Sequence, residues 1–240
     1  MLYIERIVNL RKPSADDGYP YDVPSIRNLR DFVFRKDVTF FVGENGAGKS
    51  TLVEAIAVNA GFNPEGGGRN FGFRTADTHS ELYRDLRLVR GPVRNRDGYF
   101  LRAESMYNLA TEIDQISYGI HGFYGGRSLH KRSHGESFLT VFTQRFFGNG
   151  LYILDEPESA FSARSVLAMM VRIRQLVEQD SQFIIATHSP LLLAYPGADI
   201  WMVGENGLER VDYKDTDPYR VTKFFLENPE RMLDELFGEE

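Results

Sequence analysis

Apolar residues recur along this chain with two spacings, every second position in some stretches and at helical intervals in others. Leu2, Ile4 and Val8, with charged residues between them, predict a strand over residues 2–10. Leu29 to Phe34 alternates apolar with polar positions and predicts a second strand, and the apolar run Val38 to Val42 predicts a third. A helix is expected from Ser50 to Asn59, a strand from Gly98 to Ala103 and a helix from about Ser105 to Asp114. Phe138, Leu139, Phe142 and Phe146 fall at roughly helical spacing, the buried face of an amphipathic helix that opens near Ser133. Leu151–Leu154 and Gln182–Ala186 are apolar runs of strand length, and Pro218 to Phe237, with Val221, Phe224 and Phe225, predicts a helical tail. Between these lie loops rich in Gly, Pro, Asp or basic residues: Arg11 to Pro24, Gly61 to Gly72 and residues 117–132.

At 240 residues the chain can bury one substantial core, so a single α/β domain is expected. The absence of cysteine excludes disulfides and cysteine-based metal or redox sites, and agrees with a cytosolic protein. No apolar run approaches bilayer length, and Met-Leu-Tyr-Ile-Glu-Arg at the N-terminus carries charges where a signal peptide has its apolar core. A cytoplasmic location is therefore expected. The formal net charge of −6 does not favour nonspecific nucleic-acid binding. The Arg-dense run from Leu82 to Arg96 reads as a nucleic-acid surface or as a solvated strand face; Asp85 and Asp97 dilute it and favour the second.

The chemistry is concentrated at three points. The first is Gly43-Glu44-Asn45-Gly46-Ala47-Gly48-Lys49-Ser50-Thr51, which follows an apolar strand, precedes a helix and fits the phosphate-loop pattern G-x-x-x-x-G-K-[ST]. Glycines let the backbone curl until successive N–H groups point at phosphate oxygens, and the helix behind adds its free N–H groups and positive dipole end. Lys49 can reach the β- and γ-phosphates of a nucleoside triphosphate, and the Ser50 hydroxyl can ligate Mg²⁺. The second point is Asp155-Glu156 at the end of an apolar strand, where two carboxylates are unfavourable without work or partners. In nucleotide hydrolases such a pair supplies a Mg²⁺-shell ligand, Asp155, and a residue that orients or deprotonates water, Glu156. The third is His188, one strand–helix–strand unit later, either a structural strand-end histidine or a group within reach of a γ-phosphate.

Other candidates carry less. Tyr19 and Tyr21 read as ordinary loop tyrosines or as an aromatic that stacks on adenine, and Gly66-Gly67-Gly68 as a flexible loop, because no Lys-Ser follows. Ser133 and Glu136 fit a helix capping box, which does not exclude an anion site at the same N-terminus. His130 and His134 lack acidic or cysteine partners, so no metal site is assigned to them.

Taken in order, the phosphate loop, the Ser133-His134-Gly135-Glu136 signature, Asp155-Glu156 and His188 resemble the ATP-binding-cassette (ABC) ATPase superfamily over roughly residues 1–212. Asn9-Leu10-Arg11 and the form of the signature look closer to its SMC/RecF-like branch than to transporter subunits. The resemblance implies a P-loop NTPase of ABC-ATPase-like cassette fold. It has a mostly parallel central sheet, an antiparallel N-terminal subsheet and a small inserted helical lobe, all in one domain over residues 1–240. The lobe is placed at about 100–148 and a helical tail at about 217–240. By the same resemblance ATP and Mg²⁺ are the cofactors, Arg11 joins the nucleotide ligands, and two subunits sandwich two ATP molecules. Ser133, Gly135 and Glu136 then meet the partner's γ-phosphate, and Ser159 to Ser162 cross the interface.

Several residues depart from the superfamily pattern. His134 stands for a glycine, Glu136 for a glutamine and Ser162 for an aspartate, and Arg102 or Glu104 occupies the place of the coupling glutamine. Residues 61–132 are too short and glycine-rich for long coiled-coil arms. The expected function is Mg²⁺-dependent ATP hydrolysis by a standalone ATPase that dimerises around ATP and acts on nucleic acid or a protein partner, DNA repair or maintenance included. The weaker alternatives are the ATP-binding subunit of a membrane transporter and a nucleotide-gated binding module with little turnover.

Overall fold

The structure is a computed structural model that describes residues 1–11, 18–68, 80–103 and 142–238. Its centre is a six-stranded sheet in the order β5-β6-β7-β3-β8-β9, where β3 is Val38–Val42, β5 Asp97–Arg102, β6 Gly150–Asp155, β7 Gln182–Ala186, β8 Asp199–Gly204 and β9 Gly207–Arg210. Strands β5 to β8 run parallel, and β9 turns back antiparallel to β8. All five residues of β3 and of β7 are buried, as expected of parallel strands covered on both faces.

Strand alternation divides the apolar residues between two cores. Val38, Phe40, Val42, Tyr152, Leu154, Phe183 and Ile185 face one way, where helix α4, Ala163–Val177, covers them with Val166, Met169, Ile173 and Leu176. Phe41, Leu151, Ile153 and Ile184 face the other way, toward Leu52, Val53 and Ile56 of helix α2, Lys49–Ala60. Each such side chain contributes about 1.5–3 kcal/mol of transfer free energy. Helix α2 ends where Gly61 adopts a left-handed conformation and donates its N–H to the carbonyls of Ala57 and Val58. The short helix α1, Pro24–Arg27, lies on the same side as α2, with Ile26 in that core.

A second, antiparallel sheet, β2-β1-β4, packs on the α2 side; β1 is Ile4–Asn9, β2 Phe32–Val33 and β4 Leu86–Arg90. The buried Gln182 carboxamide joins the two sheets: its Oε1 accepts the N–H groups of Tyr3 and Ile4 at 2.8 and 2.9 Å, and its Nε2 donates to the Ile4 carbonyl at 2.9 Å.

The cassette with an antiparallel subsheet is as expected, and four details differ. The second strand contracts to two residues. Strand β4 follows a four-residue helix, α3, Leu82–Asp85, and leaves Arg87 and Arg90 exposed, which agrees with a solvated strand face. The expected inserted lobe cannot begin at residue 100, because Phe100, Leu101 and Arg102 are laddered to β6. Phe142 and Phe146 likewise belong to the main core, with Phe146 stacked on Tyr152 at a centroid distance of 4.2 Å. The tail breaks at Asn228-Pro229 into α6, Asp217–Glu227, and α7, Pro229–Phe237. The helices expected from Ser105 and Ser133, the loop at 117–132, and Glu104, Ser133, His134, Gly135 and Glu136 lie outside the described residues.

Candidate functional site

The parallel register brings the chemistry to one sheet edge. Arg102 is paired with Asp155, Asp155 with Ala186, and Ala186 with Phe41, so β5, β6, β7 and β3 end side by side. The residues that follow these ends are Glu156, Thr187, His188 and the loop beginning at Gly43. Ligands of open α/β sheets bind at this carboxyl edge.

The loop is curled as its sequence requires. Gly48 sits at φ +92 in the left-handed region, where a β-carbon would stand 2.8 Å from Ser25 Oγ; one on Gly43 would stand 2.4 Å from the Val203 carbonyl oxygen. Ser25 Oγ donates to the Ala47 carbonyl and braces the turn from behind, while Glu44, Asn45 and Gly46 form its exposed crown. Lys49 bends back over the turn and donates to the carbonyls of Gly43 and Glu44 at 3.0 and 2.8 Å. Burial pulls its ammonium below the usual lysine range, against the pull of Glu156, Asp155 and Glu158. An anion at this loop meets a desolvated cation, free N–H groups and the start of α2. The arrangement fits a triphosphate.

Ser50 Oγ donates to Asp155 Oδ1 at 2.9 Å. These two hard oxygen donors, with Glu156 and Ser159, line a cleft of about 240 Å³. Among the described residues no group of three or more His, Cys, Asp or Glu could hold a metal alone. The pair therefore suits Mg²⁺, which takes one or two protein ligands and completes its shell with phosphate and water.

Glu156 has a left-handed backbone, φ 48 and ψ 50, and its N–H donates to the Ala186 carbonyl at 3.0 Å. Its half-buried carboxylate lies 3.5 Å from His188 Nε2, and that buried nitrogen has no hydrogen-bond partner among the described residues. Glu156 and His188 thus converge beside Asp155, Ser50 and Lys49. Thr51, also in the predicted set, stands 3.1 Å from the exposed Tyr19 hydroxyl, which puts one loop tyrosine next to the phosphate loop. Arg11 is stacked on the Tyr21 ring and 3.5 Å from Asp85 of α3.

Two further groups escape sequence reasoning. Glu54, on the inner face of α2, pairs with Arg102 Nη1 at 2.7 Å, and Arg102 Nε stands 3.6 Å from Asp155 Oδ2. Arg102, noted in the sequence only for its place, is therefore a cation between two buried carboxylates. Glu158 accepts hydrogen bonds through one oxygen from Thr187 Oγ1 and the N–H groups of His188 and Ser189. Nothing local signals either contact, since the partners lie 48 and 29 to 31 residues away.

Sheet order, phosphate loop and facing carboxylates give the chain the fold of an ATP-binding cassette. A family model described as an AAA domain matches residues 22–113. The "Energy-coupling factor transporter ATP-binding protein EcfA2" of Methanospirillum hungatei is 26% identical over 221 residues, 85% of this chain and 54% of that protein. The chain thus spans about half the length of that relative. An "Uncharacterized ABC transporter ATP-binding protein" of Haemophilus influenzae is 25% identical over 79% of this chain and 78% of its own. A nucleotide-free ATP-binding cassette from an ABC transporter superposes with a TM-score of 0.51 at 16% identity, covering 99% of this chain and 100% of that one. These relatives are transporter ATP-binding proteins and lend no support to the SMC/RecF-like branch expected from the sequence.

Proposed function

We propose that this protein binds and hydrolyses ATP with Mg²⁺, as the ATP-binding subunit of a larger assembly of transporter type working at the cytoplasmic face. The observation that carries the enzymatic part is the 2.9 Å contact of Ser50 with Asp155, next to Glu156 and beneath the curled loop. In this reading Lys49 and the N–H groups of residues 43–51 hold the phosphates. Ser50 and Asp155 hold Mg²⁺, which neutralises phosphate charge when bound. Glu156 accepts the proton of the attacking water, and His188 orients that water or meets the γ-phosphate. The reaction is ATP + water to ADP + phosphate. ATP-bound subunits pair as a homodimer, with Ser133, Gly135 and Glu136 presented to the partner's phosphates.

The names of the matched relatives support the transporter assembly over the nucleic-acid or protein partner expected from the sequence. The second reading, a standalone ATPase, is favoured by one observation: Arg102, one of the two residues expected in the place of the coupling glutamine, is held in ion pairs by Glu54 and Asp155. The convergence of Glu156 and His188 counts against a binding module without turnover.

Glu156→Gln is expected to keep ATP binding and lose about 10²–10⁴-fold in turnover, the usual worth of a general base. Undiminished phosphate release from that variant sinks the catalytic assignment. Mg-ATP should also dimerise it on size exclusion. Turnover stimulated by membrane fractions, and not by DNA or RNA, separates the transporter reading from the standalone one.

A further inference from the structure

We propose that Glu158 is the positioning residue for His188, an inference that deepens the ATPase reading above and rests on it. Glu158 lies in a short 3-10 turn, Pro157–Ala160, directly after Glu156. Ser159 anchors that turn by donating through N and Oγ to the Glu156 carbonyl, at 3.1 and 2.9 Å. One carboxylate oxygen of Glu158, Oε1, then takes the Thr187 hydroxyl at 2.6 Å, the His188 N–H at 2.6 Å and the Ser189 N–H at 3.1 Å. Three donors from three consecutive residues meet on one carboxyl oxygen, an arrangement that fixes both direction and distance.

The consequence is a mechanical link between the two groups nearest the reacting water. Glu156 is carried by the end of β6 and His188 by the segment after β7, and Glu158 bolts one to the other. The bolt holds His188 Nε2 3.5 Å from Glu156 Oε1, without touching either reacting atom. Losing it takes the acceptor from the His188 N–H, while the Thr187 N–H stays on the Phe41 carbonyl and the Ser189 N–H on Thr187 Oγ1; displacement of a catalytic group by about 1 Å can cost 10²-fold in rate.

A purely structural role has different consequences. Glu158 would then only brace the Thr187–Ser189 turn that leads into the four-residue helix α5, Pro190–Leu193, and its loss would harm the fold with or without His188.

The test uses the full chain with Glu158→Ala, Glu158→Gln, His188→Ala and the double variant Glu158→Ala/His188→Ala. Turnover, affinity for a fluorescent ADP analogue and the His188 imidazole signals in nucleotide-free ¹H–¹⁵N spectra are measured. Glu158→Ala is expected to lose about 10–100-fold in turnover with analogue affinity within about threefold, and to move the His188 ring signals. The double variant should turn over no more slowly than His188→Ala alone, and Glu158→Gln, which keeps one acceptor oxygen, should fall between wild type and Glu158→Ala.

Multiplicative losses in the double variant, or unmoved His188 signals, overturn the proposal. If Glu158→Ala fails to fold, Glu158→Gln is judged by the same signals: shifted lines support positioning and unshifted lines refute it. A wild-type protein without turnover defeats the ATPase reading, while the spectra still decide whether Glu158 sets the imidazole.

Discussion

Replacing Arg102 by methionine removes a buried cation that Glu54 and Asp155 share. The Arg102 side chain is 17% exposed, Glu54 9% and Asp155 7%, so solvent screens little of the network. Nη1 sits 2.7 Å from Glu54 and Nε 3.6 Å from Asp155. Breaking a buried pair on one side costs about 3–5 kcal/mol, because the surviving charge keeps its desolvation penalty without its partner. At about 2–4 °C per kcal/mol for a chain of this size, Tm should fall by roughly 6–20 °C.

Arg102→Met/Glu54→Leu removes the closer pair and fills its space with carbon, leaving Asp155 bonded to Ser50. Most of the loss should return, since apolar replacement of a buried pair is often neutral. Differential scanning calorimetry of wild type, both single variants and the double variant closes the cycle. A single-variant shift of under about 2 °C, or a double variant whose loss is the sum of the singles, refutes the buried-network account.

Two further outcomes are expected. Because burial lowers the Lys49 pKa, triphosphate affinity should weaken with rising pH earlier than an ordinary lysine near 10.5 allows, and Lys49→Arg should abolish that alkaline limb; fluorescent-nucleotide titrations across pH check this. Gln182→Ala leaves two buried N–H groups and one carbonyl of the β1 region without partners, at about 3 kcal/mol in total, read as a fall in the chemical-denaturation midpoint at unchanged slope.

Strands β3 and β7 end where their sequences say because each is a short run buried on both faces and bounded by turn-forming residues. Helix α2 begins one residue before Ser50 and runs to Ala60, with Gly61 as the stop that its sequence offers. Gly43, Lys49, Ser50, Asp155, Glu156 and His188 were legible as chemistry because each stands at the tip of such an element. Contacts between tips were not. The bond of Glu158 to the His188 segment and the pairing of Glu54 with Arg102 arise from strand order, which local periodicity does not encode. The second strand is shorter than the alternation of Leu29 to Phe34 predicts, because Leu29 turns into the core after the α1 segment instead of joining the ladder.

The left-handed backbone of Glu156 has a price in thermodynamic terms that chemistry alone does not explain. A side chain held in that conformation costs on the order of 1 kcal/mol, which glycine would spare the fold. Selection for heat resistance would accordingly push this position toward glycine, while the proposed turnover would hold it at glutamate. A Glu156→Gly protein that melts higher and hydrolyses nothing would display both pressures in one molecule.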